Sequence, residues 1–110
     1  MRDARVFYKK KEAGRLTQLD DGSFVFRYLD QWFDESSKPA VSLTLAKTQQ
    51  EYRSDFLFPC FYNMLPEGSN KQTVCFENRL DLEDHFGILL TTARHDTIGA
   101  IQILKVESNG

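Results

Sequence analysis

The stretch that most constrains this chain is 56–68, Phe-Leu-Phe-Pro-Cys-Phe-Tyr-Asn-Met-Leu-Pro-Glu-Gly. It begins as an apolar run of helical character and stops at Leu65-Pro66-Glu67-Gly68. Proline cannot continue a helix without losing a hydrogen bond, and glycine accepts the positive φ that a reversal needs. The pattern predicts a helix whose last turn delivers Asn63, Met64 and Leu65 to a sharp, partly exposed corner. Asp55 or Ser54 is the candidate N-cap. Pro59 fits only in or near the first turn, where backbone amides lack partners. Apolar residues beside such a corner serve either as core or as a docking edge.

The rest of the chain reads as scaffold for that corner. Its 110 residues suffice for one domain with one core, with 107–110 expected as a frayed polar tail. A hydrophobic share of 41% with nine phenylalanines can fill that core. Residues 4–9 read as a strand, Gly14 as the close of a charged turn, and 15–19 as the returning strand. Asp20-Asp21-Gly22-Ser23 is a strong hairpin signal. Phe24, Phe26 and Tyr28 alternate with Val25 and Arg27, so one aromatic face is set against the core. Residues 30–39 read as a loop pinned to the core by Trp32 and Phe33, 41–45 as a short strand or extended segment, and 48–55 as a polar lead into the central helix. Beyond the corner, Ser69 and Gln72 have capping-box spacing, which predicts a helix from about Asn70 to Asn78. Asp81 can cap a third helix with Leu82, Phe86, Leu89, Leu90 and Ala93 on one face. Gly87 weakens that helix by about 1 kcal/mol relative to alanine, which implies close packing. Thr97 and Gly99 read as a turn and 100–106 as a closing strand. The fold class is α+β, a small antiparallel sheet packed with two or three helices.

Catalytic constellations are absent from the sequence. No G-x-x-x-x-G-K-[ST], G-x-G-x-x-G or G-x-S-x-G motif occurs. His85 and His95 do not stand at zinc-site spacing from Cys60 and Cys75, and the two cysteines read as reduced, buried thiols. His95-Asp96 lacks the metal-holding asparagine of a kinase catalytic loop, so it reads as a polar turn. These observations predict no enzyme, no cofactor and no metal. A net charge of -2 argues against autonomous nucleic-acid binding, and Lys9-Lys10-Lys11 reads as a solvated hairpin end. The amino-terminal residues carry no apolar signal segment, and no run is long enough to span a bilayer, so a cytoplasmic protein is expected.

Several pieces recur together in a recognisable order. They are Gly14-Arg15-Leu16, then Phe24-Val25-Phe26-Arg27-Tyr28, then Val41-Ser42-Leu43-Thr44-Leu45. Most specific is Phe61-Tyr62-Asn63-Met64-Leu65-Pro66-Glu67-Gly68, followed by the 82–90 helix and Gly99-Ala100-Ile101. Over about Val6 to Leu104 this order resembles the N-terminal subdomain of the HipA family of bacterial toxin kinases. Residues 93–98 depart from the family's glycine-rich turn, with Arg94-His95-Asp96-Thr97 in its place.

In HipA-type toxins this subdomain precedes a kinase core that phosphorylates protein targets such as aminoacyl-tRNA synthetases. Tripartite HipBST systems are similar but split: a HipB-like helix-turn-helix protein, a shortened HipT-type kinase, and a small HipS partner acting as antitoxin. The resemblance thus implies a non-catalytic antitoxin that binds and inhibits a HipA-like kinase. The alternatives are an excised subdomain of a full-length toxin, or a transcriptional cofactor acting through the helix-turn-helix partner. The start at Met1 and the polar tail fit a complete small gene product, and equally an excised piece. Docking on a kinase needs an apolar centre with a polar rim. The candidate contacts are Phe61, Met64, Leu65, Pro66, Glu67 and Gly68 at the corner, with Trp32 as a possible anchor.

Overall fold

The computed structural model describes residues 2–92 and 101–106. Its frame is one five-stranded antiparallel sheet in the order β4-β3-β2-β1-β5. The strands are β1 (Arg2–Tyr8), β2 (Lys11–Gln18), β3 (Phe24–Tyr28), β4 (Glu51–Ser54) and β5 (Ile101–Lys105). Four helices accompany it among the described residues: α1 (Asp30–Asp34), α2 (Pro59–Tyr62), α3 (Gly68–Asn78) and α4 (His85–Thr92). The class is α+β, as expected, and β5 closes the sheet beside β1.

The meander follows from side-chain alternation. Ala4, Val6, Leu16, Phe24, Phe26 and Tyr28 point inward and are buried. Arg5, Arg15 and Arg27 point to the other side and are exposed. The β1–β2 turn is Lys9-Lys10, both at positive φ (49° and 68°), which matches strand twist in a two-residue hairpin. Gly14 therefore does not close the turn. It lies inside β2, paired with Val6 and Tyr28. A β-carbon there would stand 2.7 Å from the Arg27 carbonyl oxygen and 2.8 Å from the Phe26 ring. The ladder slips by one residue between Val6 and Phe7, so Ala13 bulges and its carbonyl accepts from the Leu29 amide at 2.9 Å. At the β2–β3 turn, Gly22 takes φ 90° and Asp21 Oδ1 accepts from the Ser23 amide at 2.9 Å.

Between 30 and 54 the structure departs from expectation. The predicted loop opens with α1, and its Trp32 is buried. The expected strand at 41–45 is instead a 3-10 turn at Leu43–Leu45. Two hydroxyls impose this. Ser42 Oγ accepts from the Thr44 amide at 3.2 Å. Tyr28 Oη accepts from the Val41 amide at 3.0 Å and donates to the Leu45 carbonyl. The backbone bonds a ladder would need are thus already engaged, and Leu43 is left 98% exposed. The fourth strand falls at 51–54, inside the stretch read as a polar lead-in. Tyr52 turns inward opposite Phe26 there, while Arg53 stays exposed at the edge.

The helix expected to follow an Asp81 cap is α4, and it begins only at His85. Asp81 Oδ1 holds a preceding turn through the Glu83 amide at 2.8 Å, and Leu82 is left 45% exposed outside the helix. Asp84 Oδ1 accepts from the Gly87 amide at 3.2 Å, so Asp84 caps the helix. Gly87 is packed closely, as expected, because a β-carbon there would lie 2.3 Å from Asp84 Oδ2. Arg2 grips the same carboxylate with both terminal nitrogens, at 2.7 and 3.2 Å, and lies 5.1 Å from the centre of the Phe86 ring. Phe86, Ile88 and Leu89 are buried. The predicted turn at Thr97 and Gly99, Ala93, His95 and the 107–110 tail lie outside the described residues.

Candidate docking corner

The corner is built on a single helical turn. Phe58 is the N-cap residue of α2 and Pro59 stands at its first position, where no amide partner is lost. Neither Asp55 nor Ser54 caps it. Ser54 Oγ accepts from the Phe56 amide at 3.1 Å instead, turning the chain before the helix. The backbone then tightens, with Met64 N bonding Phe61 O at 3.0 Å and Leu65 N bonding Tyr62 O at 3.1 Å. Pro66 has no amide to continue the series. Glu67 is extended, Gly68 takes φ 58°, and α3 starts at Gly68 itself. This earlier start places Ser69 inside the helix, so no capping box forms and the helix has no side-chain cap.

The proposed contacts divide by burial. Phe61 is fully buried, 5.8 Å from the Phe26 ring and 6.3 Å from the Phe58 ring. Trp32 is also buried; its Nε1 donates to the Pro39 carbonyl at 2.9 Å and its ring meets Tyr8 edge-on at 6.0 Å. It pins the 30–39 segment to the core, as its sequence position implied. Met64 and Leu65 are half-buried and packed against the core cluster. Pro66 is half-buried, and Glu67 and Gly68 are exposed.

Exposed apolar groups that sequence reasoning did not single out flank α2 and ride on α3. Phe56 is 79% exposed, Tyr62 50% and Phe76 86%. Phe76 lies on α3, of which Cys75 is the only buried residue. A cleft of about 260 Å³ opens beside Tyr62, lined by Phe24, Phe56, Leu57, Asp55, Glu83 and His85, among others. The His85 ring meets Tyr62 edge-on at 5.3 Å. Both cysteines are free. Burial pushes the Cys60 thiol up to about 11, only partly offset by its hydrogen bond with Ser42. Burial likewise pushes the Tyr28 hydroxyl up to about 12. These groups stay protonated, and no cluster of three His, Cys, Asp or Glu among the described residues could hold a metal. Among those residues, no helix is long and apolar enough to cross a membrane. The arrangement offers apolar contact and shape.

The family model for the HipA N-terminal domain matches residues 4–104. The chain belongs to the HipA N-terminal domain family. A solved structure described as the N-terminal domain of HipA toxin superposes with a TM-score of 0.74 at 29% identity, covering 99% of this chain and 96% of that one. An uncharacterized protein of Haemophilus influenzae (strain ATCC 51907 / DSM 11121 / KW20 / Rd) is 33% identical over 103 residues, 94% of this chain and 92% of that protein. The family match thus spans the meander, the corner and the closing strand together.

Proposed function

We propose that this chain is a non-catalytic antitoxin that docks on a HipA-like kinase of the HipT type and holds it inactive. The observation that carries the reading is the family match across residues 4–104. The Haemophilus influenzae relative supports a stand-alone role, because the alignment takes up 92% of its length. The domain therefore occurs in a chain made of little else. In this reading the domain sits on the kinase where the toxin's own N-terminal domain would sit, and restrains the active site or its nucleotide loop. A HipB-like helix-turn-helix protein joins the same complex, without direct DNA contact by this chain.

The corner is the contact. Pro66 and Gly68 fix the reversal, so Met64 and Leu65 are presented at little cost in conformational entropy. Exposed Phe56 and Tyr62, which line one cleft, add apolar area beside them. Glu67 and Gly68 form part of the polar rim, and buried Phe61 supports the contact from within, while Trp32 anchors the 30–39 segment instead. Leu65→Glu tests this. It should lower affinity for the kinase by about 2 kcal/mol or more, abolish rescue of cells expressing the kinase, and leave thermal melting near normal. Near-normal melting with full rescue removes the corner from the interface. A large loss of melting temperature instead assigns Leu65 to the core.

A second reading, the N-terminal subdomain of a full-length HipA-type kinase, is favoured by the match to 96% of the toxin's own domain. Both readings set the corner against a kinase body. Immunoblotting in the native host separates them, since a small species indicates the antitoxin and a kinase-sized species the subdomain.

A further inference from the structure

The outer face of the sheet carries three arginines in one row. The register pairs Arg5 with Arg15 and Arg15 with Arg27. Adjacent strands lie about 4.8 Å apart, so the row crosses roughly 10 Å. Like charges directly opposite one another destabilise a sheet. Among the described residues the row is neutralised only at its ends. Arg5 pairs with Glu12 at 2.9 Å, and Arg27 lies 3.6 Å from Asp30 and 3.8 Å from Glu51. Arg15, in the centre, is exposed and forms no ion pair with any described residue. Half-buried apolar groups share this face. Phe7 lies 5.0 Å below the Arg5 guanidinium, Leu104 pairs with Arg5, and Val25 pairs with Thr17.

We infer that this face docks an acidic amphipathic α-helix of a protein partner, its carboxylates laid along the Arg5–Arg15–Arg27 row. The spacing fits. Helix neighbours four apart lie about 5–6 Å from each other, and positions seven apart are separated by roughly 10 Å of helix rise. Carboxylates at i, i+4 and i+7 therefore match the spacing of the row, with the unpaired Arg15 taking the middle one and the outer two sharing Arg5 with Glu12 and Arg27 with Asp30 and Glu51. The aliphatic Val25 and Leu104 favour the apolar stripe of a helix over a single-stranded nucleic acid, whose bases would find only Phe7 to stack on. The chain's net charge of -2 also opposes a long polyanion. This inference does not depend on the kinase reading.

Arg15→Glu decides it, because its effects on fold and binding have opposite signs. The new carboxylate would sit between Arg5 and Arg27 and raise the melting temperature. It would also repel an acidic helix. The probe is a synthetic helical peptide with Glu at i, i+4 and i+7, measured by fluorescence anisotropy at low salt against the whole chain. Wild type should bind it, and Arg15→Glu should weaken binding by roughly tenfold or more. Arg79→Glu, with the same charge change on α3's C-cap, should leave binding unchanged. If Arg15→Glu fails to fold, Arg15→Gln should still weaken binding. Absence of wild-type binding overturns the inference. So does unchanged peptide affinity in the Arg15 variants, or tighter binding of a single-stranded oligonucleotide than of the peptide.

Discussion

The meander and the corner spend similarly apolar sequence in different ways. In β3, Phe24, Phe26 and Tyr28 are all buried, and Phe26 and Tyr28 interlock edge-to-face at 4.8 Å. Around the corner only Leu57, Phe58 and Phe61 reach that depth, while Phe56 and Tyr62 stay exposed and Met64 and Leu65 are half-covered. The cause is periodicity. A strand sends every second residue to one side for as long as it runs. A helix of one turn, cut by Pro59 at its start and Pro66 beyond its end, has no repeat with which to gather its apolar residues onto one face. What the meander commits to its own core, the corner leaves partly available to another surface.

Phe61 is where the two regions meet, and it gives the largest expected effect. It belongs to the corner in sequence but is buried against Phe26. Phe61→Ala should cost about 3–5 kcal/mol, read as a collapse of the thermal transition. Phe56→Ser, five residues earlier, should stay within about 0.5 kcal/mol of wild type. Equal losses from the two variants would erase the distinction drawn here.

Gly14→Ala tests the tightness of the meander directly. The added carbon would meet the Arg27 carbonyl and the Phe26 ring, neither of which can move freely. The expected cost is about 1–3 kcal/mol, measured by urea denaturation. A neutral outcome would mean that the β2–β3 contact yields as easily as the corner.

The smallest effect concerns the Arg2–Asp84 clamp between β1 and α4. The Arg2 guanidinium, more than the Gly87 amide, holds the Asp84 carboxyl below its ordinary value of 3.8. A depressed folded-state value means that Asp84 contributes stability above 3.8, which is lost as the pH falls through the lower, folded value. Wild type should therefore lose stability on acidification below about pH 4 more steeply than Asp84→Asn, with melting curves taken from neutral pH downward. Parallel acid profiles would detach the clamp from the fold's stability.

The sheet's first three strands were legible because their signals are local: alternation in 24–28 and an Asp-Gly turn. The turn at Lys9-Lys10 was not, since lysine carries no preference for positive φ and Gly14 drew the assignment to itself. The fourth strand, Glu-Tyr-Arg-Ser, offers only one inward aromatic, and its partner in β3 is 26 residues away from Tyr52 along the chain. The 3-10 turn at 43–45 depends on the Tyr28 hydroxyl, a contact no local pattern announces. At the candidate site, Pro66 and Gly68 marked the corner correctly. Which of its apolar residues are covered depended on tertiary packing, so Phe61 could not be told from Phe56. The arginine row was invisible for the same reason. Its members are spread over three strands, and only the register brings them side by side.

The place of β1 between β2 and β5 has a consequence for synthesis. Val6 is paired on one side with Gly14, a near neighbour in sequence, and on the other with Ile103. On the ribosome the first side is available almost at once. The second must wait while the intervening residues are translated, roughly 5 to 20 seconds at ordinary elongation rates. For that interval the outer edge of β1 carries unpaired amides and carbonyls beside Val6 and Phe7. An open edge of that kind invites pairing with other nascent chains. The position of β5 thus makes the speed of translation a determinant of yield for this small domain.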